Sequence, residues 1–243
     1  MIYIPKDEWE KIYNHLYNDD EYFKQNLKII KNVYNIMKFI NNKIKNSNQY
    51  VLSGSMVYFQ KYYLNNNIVF NNYTSLNKLL LISTCLFIAT KTTNHLIYLK
   101  DIIVIIKEIL KKKAKLEISE NEIKNKLYQF EFNVLNDLGF ELNLDLPYKF
   151  LNNLKNFFEL NNININRDKL IEICCNYIND IFYLPVCLYY TPNLISISCV
   201  KLMQNKLNLH LNFNINDIIN LSDYKIDLFE LNQCYNLIKK LYD

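Results

Sequence analysis

The chain of 243 residues is long enough for one or two globular domains, and half of its residues are hydrophobic, which suffices for a sizeable core. The 28 basic and 24 acidic residues give a net charge of +4, a balance too even for a protein that acts mainly by neutralising phosphates. The two glycines and four prolines leave little material for tight turns or phosphate-binding loops, so the composition predicts an all-α fold.

The cysteines favour packing over metal binding or disulfide formation. None forms a CxxC pair, and most lie in apolar stretches, where cysteine usually behaves as a small buried hydrophobe. The first residues show no basic segment followed by an apolar one, so we expect no secretory signal and an intracellular protein. The six positions are Cys85, Cys174, Cys175, Cys187, Cys199 and Cys234.

Apolar spacing predicts three helices in the first part of the chain. A short amphipathic helix covers Trp9 to Leu16, and a longer one covers Phe23 to Ile40. A third is expected to begin at a cap provided by Ser53 or Ser55 and to run through "MVYFQKYYL". The polar segment after it is interpreted as a loop that ends at a Thr74 or Ser75 cap.

The stretch "LLLISTCLFIAT" at 79–90 contains no charge, and Lys91 follows it. Twelve charge-free residues are too few to cross a membrane, and a helix that is apolar on every side must be surrounded by other elements. This segment is therefore predicted to be the central helix of a bundle.

Two further helices follow. One is predicted from Leu99 to Lys113, and the next begins at a capping box formed by Ser119 and Glu122 and ends before Gly139. Glu131 falls at the edge of the apolar stripe of this second helix, where a polar contact to a partner could lie.

The second half of the chain repeats the pattern weakly, with Cys199 in the place of Cys85, which suggests two bundles of similar plan joined near 145–147. The charge-free segment 181–200 is broken by Pro185 and Pro192, so it is interpreted as core, with a helix beginning near Pro192. A closing helix carries Leu228 to Leu241.

Three segments in this order resemble the cyclins, and more closely the transcription-type group with cyclins C, H, K, L and T. They are "TCLFIATK", "FEFNVLNDLGFELNLDLPYKFL" and "CCNYINDIFYLPVCLYYTPNLISISCVKL", and together they span about 49–207. The resemblance implies an all-α protein with two five-helix cyclin boxes and short flanking helices. The implied ranges are 1–20 for an N-terminal arm, 21–144 for the first box and 145–243 for the second box with a C-terminal helix.

The resemblance also implies a function and a site. Cyclins bind and activate a cyclin-dependent kinase, and by position Lys91, Glu131, Phe140 and Leu142 are expected to contact the kinase. The implied protein is a non-catalytic regulatory subunit in a heterodimer, with a third subunit allowed. We expect no cofactor, metal, small-molecule ligand, membrane or direct nucleic-acid contact, and a nuclear or cytoplasmic location.

Two departures from the cyclin pattern stand out. Cyclins often place acidic residues directly after the lysine, whereas Thr92, Thr93 and Asn94 stand here. The segment "LKIIKNVYNIMKFI" lacks the Met-Arg-x-Ile-Leu pattern of the substrate-docking patch of cell-cycle cyclins, so docking of that kind is not expected.

Other interpretations remain open. A scaffold resembling the transcription factor TFIIB would be expected to carry a zinc ribbon and a basic DNA face, and neither is evident. His15, His95 and His210 have no acid or nucleophile at a recognisable spacing, so catalysis is unsupported. A cyclin that binds a kinase without activating it, or one with a cell-division role, also fits, and the lysines of 107–115 are interpreted as a solvated helix end rather than an import signal.

Overall fold

The computed structural model describes residues 4–45, 48–95, 97–113, 117–160, 167–206, 215–220 and 226–243. Within these ranges the chain forms α-helices and short 3₁₀ turns and contains no strand, so the all-α prediction is confirmed. The helices are α1 Lys6–Asn18, α2 Asp20–Lys43, α3 Gln49–Asn72, α4 Ser75–Thr92, α5 Leu99–Lys113, α6 Glu120–Asp137, α7 Phe150–Leu160, α8 Arg167–Asp180, α9 Pro192–Lys206, α10 Ile215–Ile219 and α11 Leu228–Lys239.

The chain divides into two compact units. One contains Lys28–Leu144, and the other combines Tyr3–Leu27 with Asp145–Asp243. The ranges 1–20, 21–144 and 145–243 from the sequence stay a prediction of where the boxes begin and end.

Helix α4 is the centre of the first unit. All residues of 79–90 are buried, and α4 packs against α3, α5 and α6. The polar residues inside it satisfy their hydroxyls within the helix, since Ser83 donates to the Leu79 carbonyl at 2.8 Å and Thr84 to the Leu80 carbonyl at 2.9 Å. The prediction of a buried central helix is confirmed, and its N-cap is Thr74, whose hydroxyl accepts from Asn77 N.

Helix α3 differs from the prediction at both ends. Its N-cap is Asn48, whose side chain accepts from Val51 N, so Ser53 and Ser55 lie inside the helix rather than at its start. Ser55 can be buried there because its hydroxyl donates to the Leu52 carbonyl at 2.7 Å. The expected loop after the helix is helical as well, with one kink at Asn66, whose side-chain amide donates to the Tyr62 carbonyl and to Asp137.

The helix boundaries of the later elements agree more closely with the sequence. Helix α5 spans the predicted residues, and the side chain of Ser119 caps α6 by accepting from Glu122 N at 3.2 Å. Helix α9 begins at Pro192, as predicted, and its segment 194–200 is buried. None of the described helices combines the length and the apolar character needed to cross a membrane.

In the second unit, aromatic stacking and one lysine hold the first helix. Trp9 is 1% exposed, stacks on Tyr189 with ring centroids 5.0 Å apart, and donates to the Tyr190 hydroxyl at 3.3 Å. Lys240 donates to the carbonyls of Leu16 and Tyr17, at 3.1 and 2.7 Å, at the end of α1. A cation there matches the negative end of the helix dipole.

The described cysteines are free thiols, of which Cys85, Cys174, Cys199 and Cys234 are buried. Burial raises the pKa of Cys174 and Cys234 to about 12, so both remain neutral thiols at physiological pH. Such thiols pack as small hydrophobes and react poorly.

We expect Lys240→Met to destabilise the protein by about 1–3 kcal/mol, because two carbonyls and the Asp20 carboxylate, 2.6 Å from Nζ, lose a charged donor. Urea denaturation of the intact chain measures the change. Lys239→Met is the matched control, since that neighbour is exposed and its ion pair with Asp243 is 3.9 Å long. Equal effects of the two substitutions would contradict the anchoring role of Lys240.

Glu108 gives a prediction for the pH dependence of stability. Hydrogen bonds from Lys112 and Lys43 lower its pKa from 4.5 to about 2. A carboxyl with a depressed folded pKa stabilises the fold above its unfolded pKa and loses that contribution as the pH falls toward the folded value. The difference in unfolding free energy between the native chain and Glu108→Gln should therefore shrink between pH 4.5 and 2.

The control for this measurement is Glu117→Gln, which alters an exposed glutamate in the same unit. If both variants show the same pH dependence, the paired lysines do not set the pKa of Glu108.

Candidate protein-interaction site

The candidate site begins where α4 leaves the core. Lys91 is the first charged residue after the buried run, and it lies in the last turn of the helix, where a cation is favoured. Its side chain is 44% exposed, so the charge reaches solvent while the backbone is held by the bundle.

Lys91 and Glu131 are brought together by the packing of α4 against α6. The Lys91 Nζ lies 2.6 Å from the Glu131 Oε1, and it also lies 4.1 Å from the centroid of the Phe87 ring, one turn earlier in α4. The Glu131 side chain is 17% exposed, which agrees with its predicted place at the edge of the apolar stripe. Because the Lys91 end of the pair is open to water, the pair contributes only about 1 kcal/mol to stability.

Leu142 is tied to the same helix end through its backbone. The Tyr58 hydroxyl of α3 donates to the Leu142 carbonyl at 2.8 Å and lies 3.0 Å from the Thr92 Oγ1. Burial raises the pKa of Tyr58 to about 12, so the hydroxyl keeps its proton at neutral pH. This contact fixes the segment after α6 next to the residue that follows Lys91.

Close packing against α3 also fixes the segment that follows α6. Gly54 lies inside α3, and a Cβ at this position would come within 2.6 Å of the Leu144 Cδ1 and 3.7 Å of the Ala89 Cβ. Only glycine leaves room for Leu144 in its present position, so α3 shapes the path of the chain beyond Leu142.

Phe140 is exposed by a helix end of defined geometry. Gly139, in the left-handed region with φ 58°, donates to the Asn136 carbonyl, and Phe140 N donates to the Leu135 carbonyl, as in a Schellman motif. Phe140 itself has φ 57°, which is uncommon for a bulky residue, and its side chain is 62% exposed. A strained backbone that exposes an aromatic ring is a feature often found at functional sites.

Lys91 and Glu131 contact each other directly. The Tyr58 hydroxyl links Leu142 to Thr92, the residue after Lys91, and Phe140 is connected only through the chain, two residues before Leu142. Sequence reasoning missed two neighbours, Tyr128 and Phe132, which are 49% and 60% exposed. At about 100° per residue, both lie within roughly 100° of Glu131 on the side of α6 away from the core. A helical projection that included exposed aromatic residues would have found them.

The threonines after Lys91 are hydrogen-bonded to the helix itself. Thr92 and Thr93 both donate to the Ala89 carbonyl, at 3.1 and 2.8 Å. Beyond them Asn94 adopts φ 58°, and the ring of His95 lies 2.7 Å from both the Asn48 side-chain amide and the Thr93 carbonyl. These positions therefore fix the end of α4 and carry no negative charge.

Three further sequence predictions concern metal binding, the histidines and the lysines of 107–115. Within the described residues, no three or more His, Cys, Asp or Glu side chains form a group that could hold a metal ion. His95 is engaged with Asn48 and Thr93, and His210 lies outside the described residues. Among the lysines of 107–115, Lys107 pairs with Glu120 at 2.9 Å and Lys112 with Glu108 at 2.7 Å, while Lys115 lies outside the described residues.

A separate apolar groove of about 420 Å³ lies between α2, α4 and α5 in the first unit. Ile36, Phe39, Leu76 and Leu79 contribute to its walls, and the paired Glu108 stands at its edge. Phe39 is 48% exposed there, with the Lys43 ammonium 5.3 Å from its ring.

Comparison with known proteins identifies the family. Residues 8–143 match the family described as "Cyclin, N-terminal domain". Cyclin-T1-5 of Arabidopsis thaliana is 28% identical over 137 residues, which are 53% of this chain and 23% of that protein. The chain thus spans about a quarter of the length of this curated relative.

Solved structures contain chains of similar fold. A chain of the yeast RNA Pol II CTD kinase CTDK-1 complex has a TM-score of 0.75 at 16% identity, covering 100% of this chain and 73% of that one. A chain of the yeast TFIIK (Kin28/Ccl1/Tfb3) complex has a TM-score of 0.63 at 19% identity, covering 98% and 96%. A chain of the Chaetomium thermophilum CAK complex bound to ATP-gamma-S has a TM-score of 0.57 at 12% identity, covering 89% and 64%.

At these identities the likeness to solved structures concerns the fold, and it agrees with the predicted two-box, all-α architecture. The family match covers more than half of the chain and includes α4, α6 and all four candidate site residues. The chain belongs to the cyclin family.

Proposed function

We propose that this chain is the regulatory, activating subunit of a cyclin-dependent protein kinase and that Lys91, Glu131, Phe140 and Leu142 form part of its kinase-binding surface. The observation that carries the proposal is the cluster at the ends of α4 and α6 in a member of the cyclin family, where an exposed ion pair of 2.6 Å is tied to the segment that exposes Phe140.

The energetics of the cluster suit a binding surface. The Lys91–Glu131 pair adds little to folding stability. The exposed ring of Phe140 is unfavourable in water, so a partner that covers the ring gains free energy of binding. A buried aromatic anchor surrounded by polar contacts is the usual composition of an interface hot spot. Phe132 and Tyr128 are exposed on the side of α6 away from the core, and they add apolar area near Glu131.

Activation would follow from selective binding to one kinase conformer. A protein kinase is active only when its strand lysine pairs with the glutamate of its C helix. A subunit that binds the conformer with this pair formed shifts the population toward it. Moving a kinase from 1:99 to 99:1 requires about 5.5 kcal/mol of differential binding, which a few buried anchors can supply.

The proposed kinase belongs to the transcription-associated class. The related plant protein is named a T-type cyclin, and the similar folds occur in complexes named as an RNA Pol II CTD kinase and as TFIIK. TFIIK is named with three subunits, which supports an assembly of the kinase, this chain and a third protein. We propose a nuclear location on the same grounds and assign the chemistry of phosphoryl transfer to the kinase rather than to this chain.

The first test removes the ion pair. Lys91→Ala/Glu131→Ala should lower the amount of cyclin-dependent kinase, and of kinase activity, that co-purifies with the intact chain from cells, because both polar contacts to the partner are lost. Mass spectrometry identifies the bound proteins, and circular dichroism checks the fold. The matched control is Lys107→Ala/Glu120→Ala, which removes another exposed ion pair, of 2.9 Å, from the same unit.

Three outcomes would contradict the proposal. Recovery of polymerase subunits or DNA without a kinase would favour the scaffold function. Recovery of an inactive kinase would favour a cyclin that binds without activating. Equal losses in the double variant and its control would remove Lys91 and Glu131 from the interface.

The second test concerns the aromatic anchor. Phe140→Ala should weaken kinase binding by about 2 kcal/mol, or roughly thirtyfold, because a hot-spot ring would no longer be buried. Phe229→Ala is the matched control, since Phe229 is 67% exposed and Phe140 is 62% exposed. Titration of the purified kinase against both variants measures the difference, and similar affinities would exclude Phe140 as an anchor.

A further inference from the structure

The first turn of α11, in the second unit, exposes two adjacent apolar side chains. Leu228 is 58% exposed and Phe229 is 67% exposed. At about 100° per residue, Phe229 points roughly 150° away from the centre of the buried stripe of this helix, and Leu228 roughly 110° away. The pair therefore lies outside the core, and a partner that covers it gains free energy of binding. The buried stripe consists of Leu231, Cys234, Leu237 and Ile238.

Hydrogen bonds and aromatic stacking hold this turn in place. The Asp227 side chain caps α11 by accepting from Phe229 N at 2.8 Å. The Tyr189 hydroxyl donates to the Glu230 Oε1 at 3.2 Å, and the Tyr189 ring stacks on Trp9 of α1. The exposed pair thus stands on a fixed backbone beside α1, so little conformational entropy would be lost when a partner binds.

Three carboxylates meet around the Tyr189 ring. Partial burial raises the pKa of Tyr189 to about 12, and the negative charges of Glu230, Glu10 and Asp227 contribute to the same shift. Glu10 and Asp227 are exposed, and Glu230 is half-buried. None of the three forms an ion pair with a described residue. The surroundings of the exposed pair are therefore negatively charged.

The neighbouring basic residues do not balance these carboxylates. Segment 226–238 contains two acidic residues and no lysine or arginine. Lys6, four residues before Glu10 in α1, forms no ion pair with it, and Lys225 lies outside the described residues. Like charges that are brought together repel, and an incoming cation would relieve that repulsion.

We propose that the first turn of α11 is a docking site for a basic peptide segment of another protein, in which Lys or Arg residues flank apolar side chains. Leu228 and Phe229 would bury the apolar side chains, and the surrounding carboxylates would pair with the cations, arginine in bidentate fashion. An apolar centre with a charged rim is the usual composition of a protein interface, and complementary charge selects the partner. The site belongs to the second unit, whereas the four candidate kinase contacts belong to the first.

Other occupants fit this surface less well. The phosphates of nucleic acids and the headgroups of anionic membranes would be repelled by the carboxylates of Glu10, Asp227 and Glu230. A symmetric dimer through this turn would bring the same acidic surface of two copies together. A basic segment of a different protein is the occupant that matches both the apolar pair and the charge.

The test measures peptide binding to the intact chain by fluorescence anisotropy. The first probe is a labelled 12-residue Gly/Ser peptide that carries two leucines between two pairs of arginines. The other two replace its arginines by glutamates or its leucines by serines. The native chain should bind the first probe about tenfold or more tightly than either of the others, because charge and apolar burial both contribute. Its affinity should fall as salt rises from about 50 to about 200 mM, since the Debye length shortens.

Two variants separate the contributions. Glu10→Gln/Asp227→Asn/Glu230→Gln should weaken binding of the first probe about tenfold or more, because three charges are lost while asparagine still caps the helix. Leu228→Ser/Phe229→Ser should weaken it by about the same factor, because the apolar anchor is lost. Circular dichroism checks the fold of both variants.

Each variant has a matched control. Glu159→Gln/Asp168→Asn/Glu172→Gln removes three exposed acidic charges from the same unit. Ile68→Ser/Val69→Ser removes another pair of adjacent apolar side chains, which are 75% and 47% exposed on α3. Both controls should weaken binding less than about twofold, because sites that share no contact act independently.

Four outcomes would overturn the proposal. They are equal binding of the three peptides, equal effects of a variant and its control, a native dimer that dissociates on Leu228→Ser/Phe229→Ser in sedimentation, and loss of the kinase from that variant. The third would assign the turn to a second copy of the chain, and the fourth would assign it to the kinase. Both variants of α11 should still recover the kinase, so failure here is distinct from failure of the proposed function.

Discussion

The burial of α4 is the constraint on which the candidate site depends. A helix apolar on all sides must be covered by its neighbours, and α3, α5 and α6 pack around it. The residues from 79 to 90 are all buried, and a charged side chain among them would have no access to water. Lys91 is therefore the first position at which a cation can reach water. Helix α6 packs beside this position and supplies Glu131, so the packing of α4 against α6 places both charges.

The groups around Lys91 are of two kinds: those that fix the backbone, and those that remain at the surface and are open to a partner. The Tyr58 hydroxyl, the Asn48–His95 contact and the threonine hydroxyls fix the backbone at the end of α4 and after α6. The ion pair and the exposed ring of Phe140, by contrast, contribute little to the fold. A binding surface works well when its scaffold is preorganised, because less conformational entropy is then lost on association. The strained φ of Phe140 fits that division, since the surrounding hydrogen bonds maintain it.

Sequence patterns predicted those features that depend on residues close together in the chain. The buried run of α4, the Ser119 cap, the Gly139 helix end and the edge position of Glu131 all follow from local periodicity or capping chemistry. The start of α3 was missed because Ser53 and Ser55 resemble caps, whereas in the bundle their helix begins earlier, at Asn48. The links from Tyr58 to Leu142 and from Lys240 to α1 join residues 84 and 224 positions apart, and no local pattern encodes such contacts.

Charge pairing likewise depends on contacts that no local pattern encodes. Residues 22–100 contain ten lysines and no aspartate or glutamate, so a lysine in this range finds an acidic partner only in another part of the chain. Lys43 of α2 pairs with Glu108 of α5 at 2.8 Å, and Lys91 of α4 pairs with Glu131 of α6 at 2.6 Å. Neither pair follows the spacing of three or four residues by which a single helix pairs its charges, so the packing of the helices, rather than the local sequence, supplies the opposite charge.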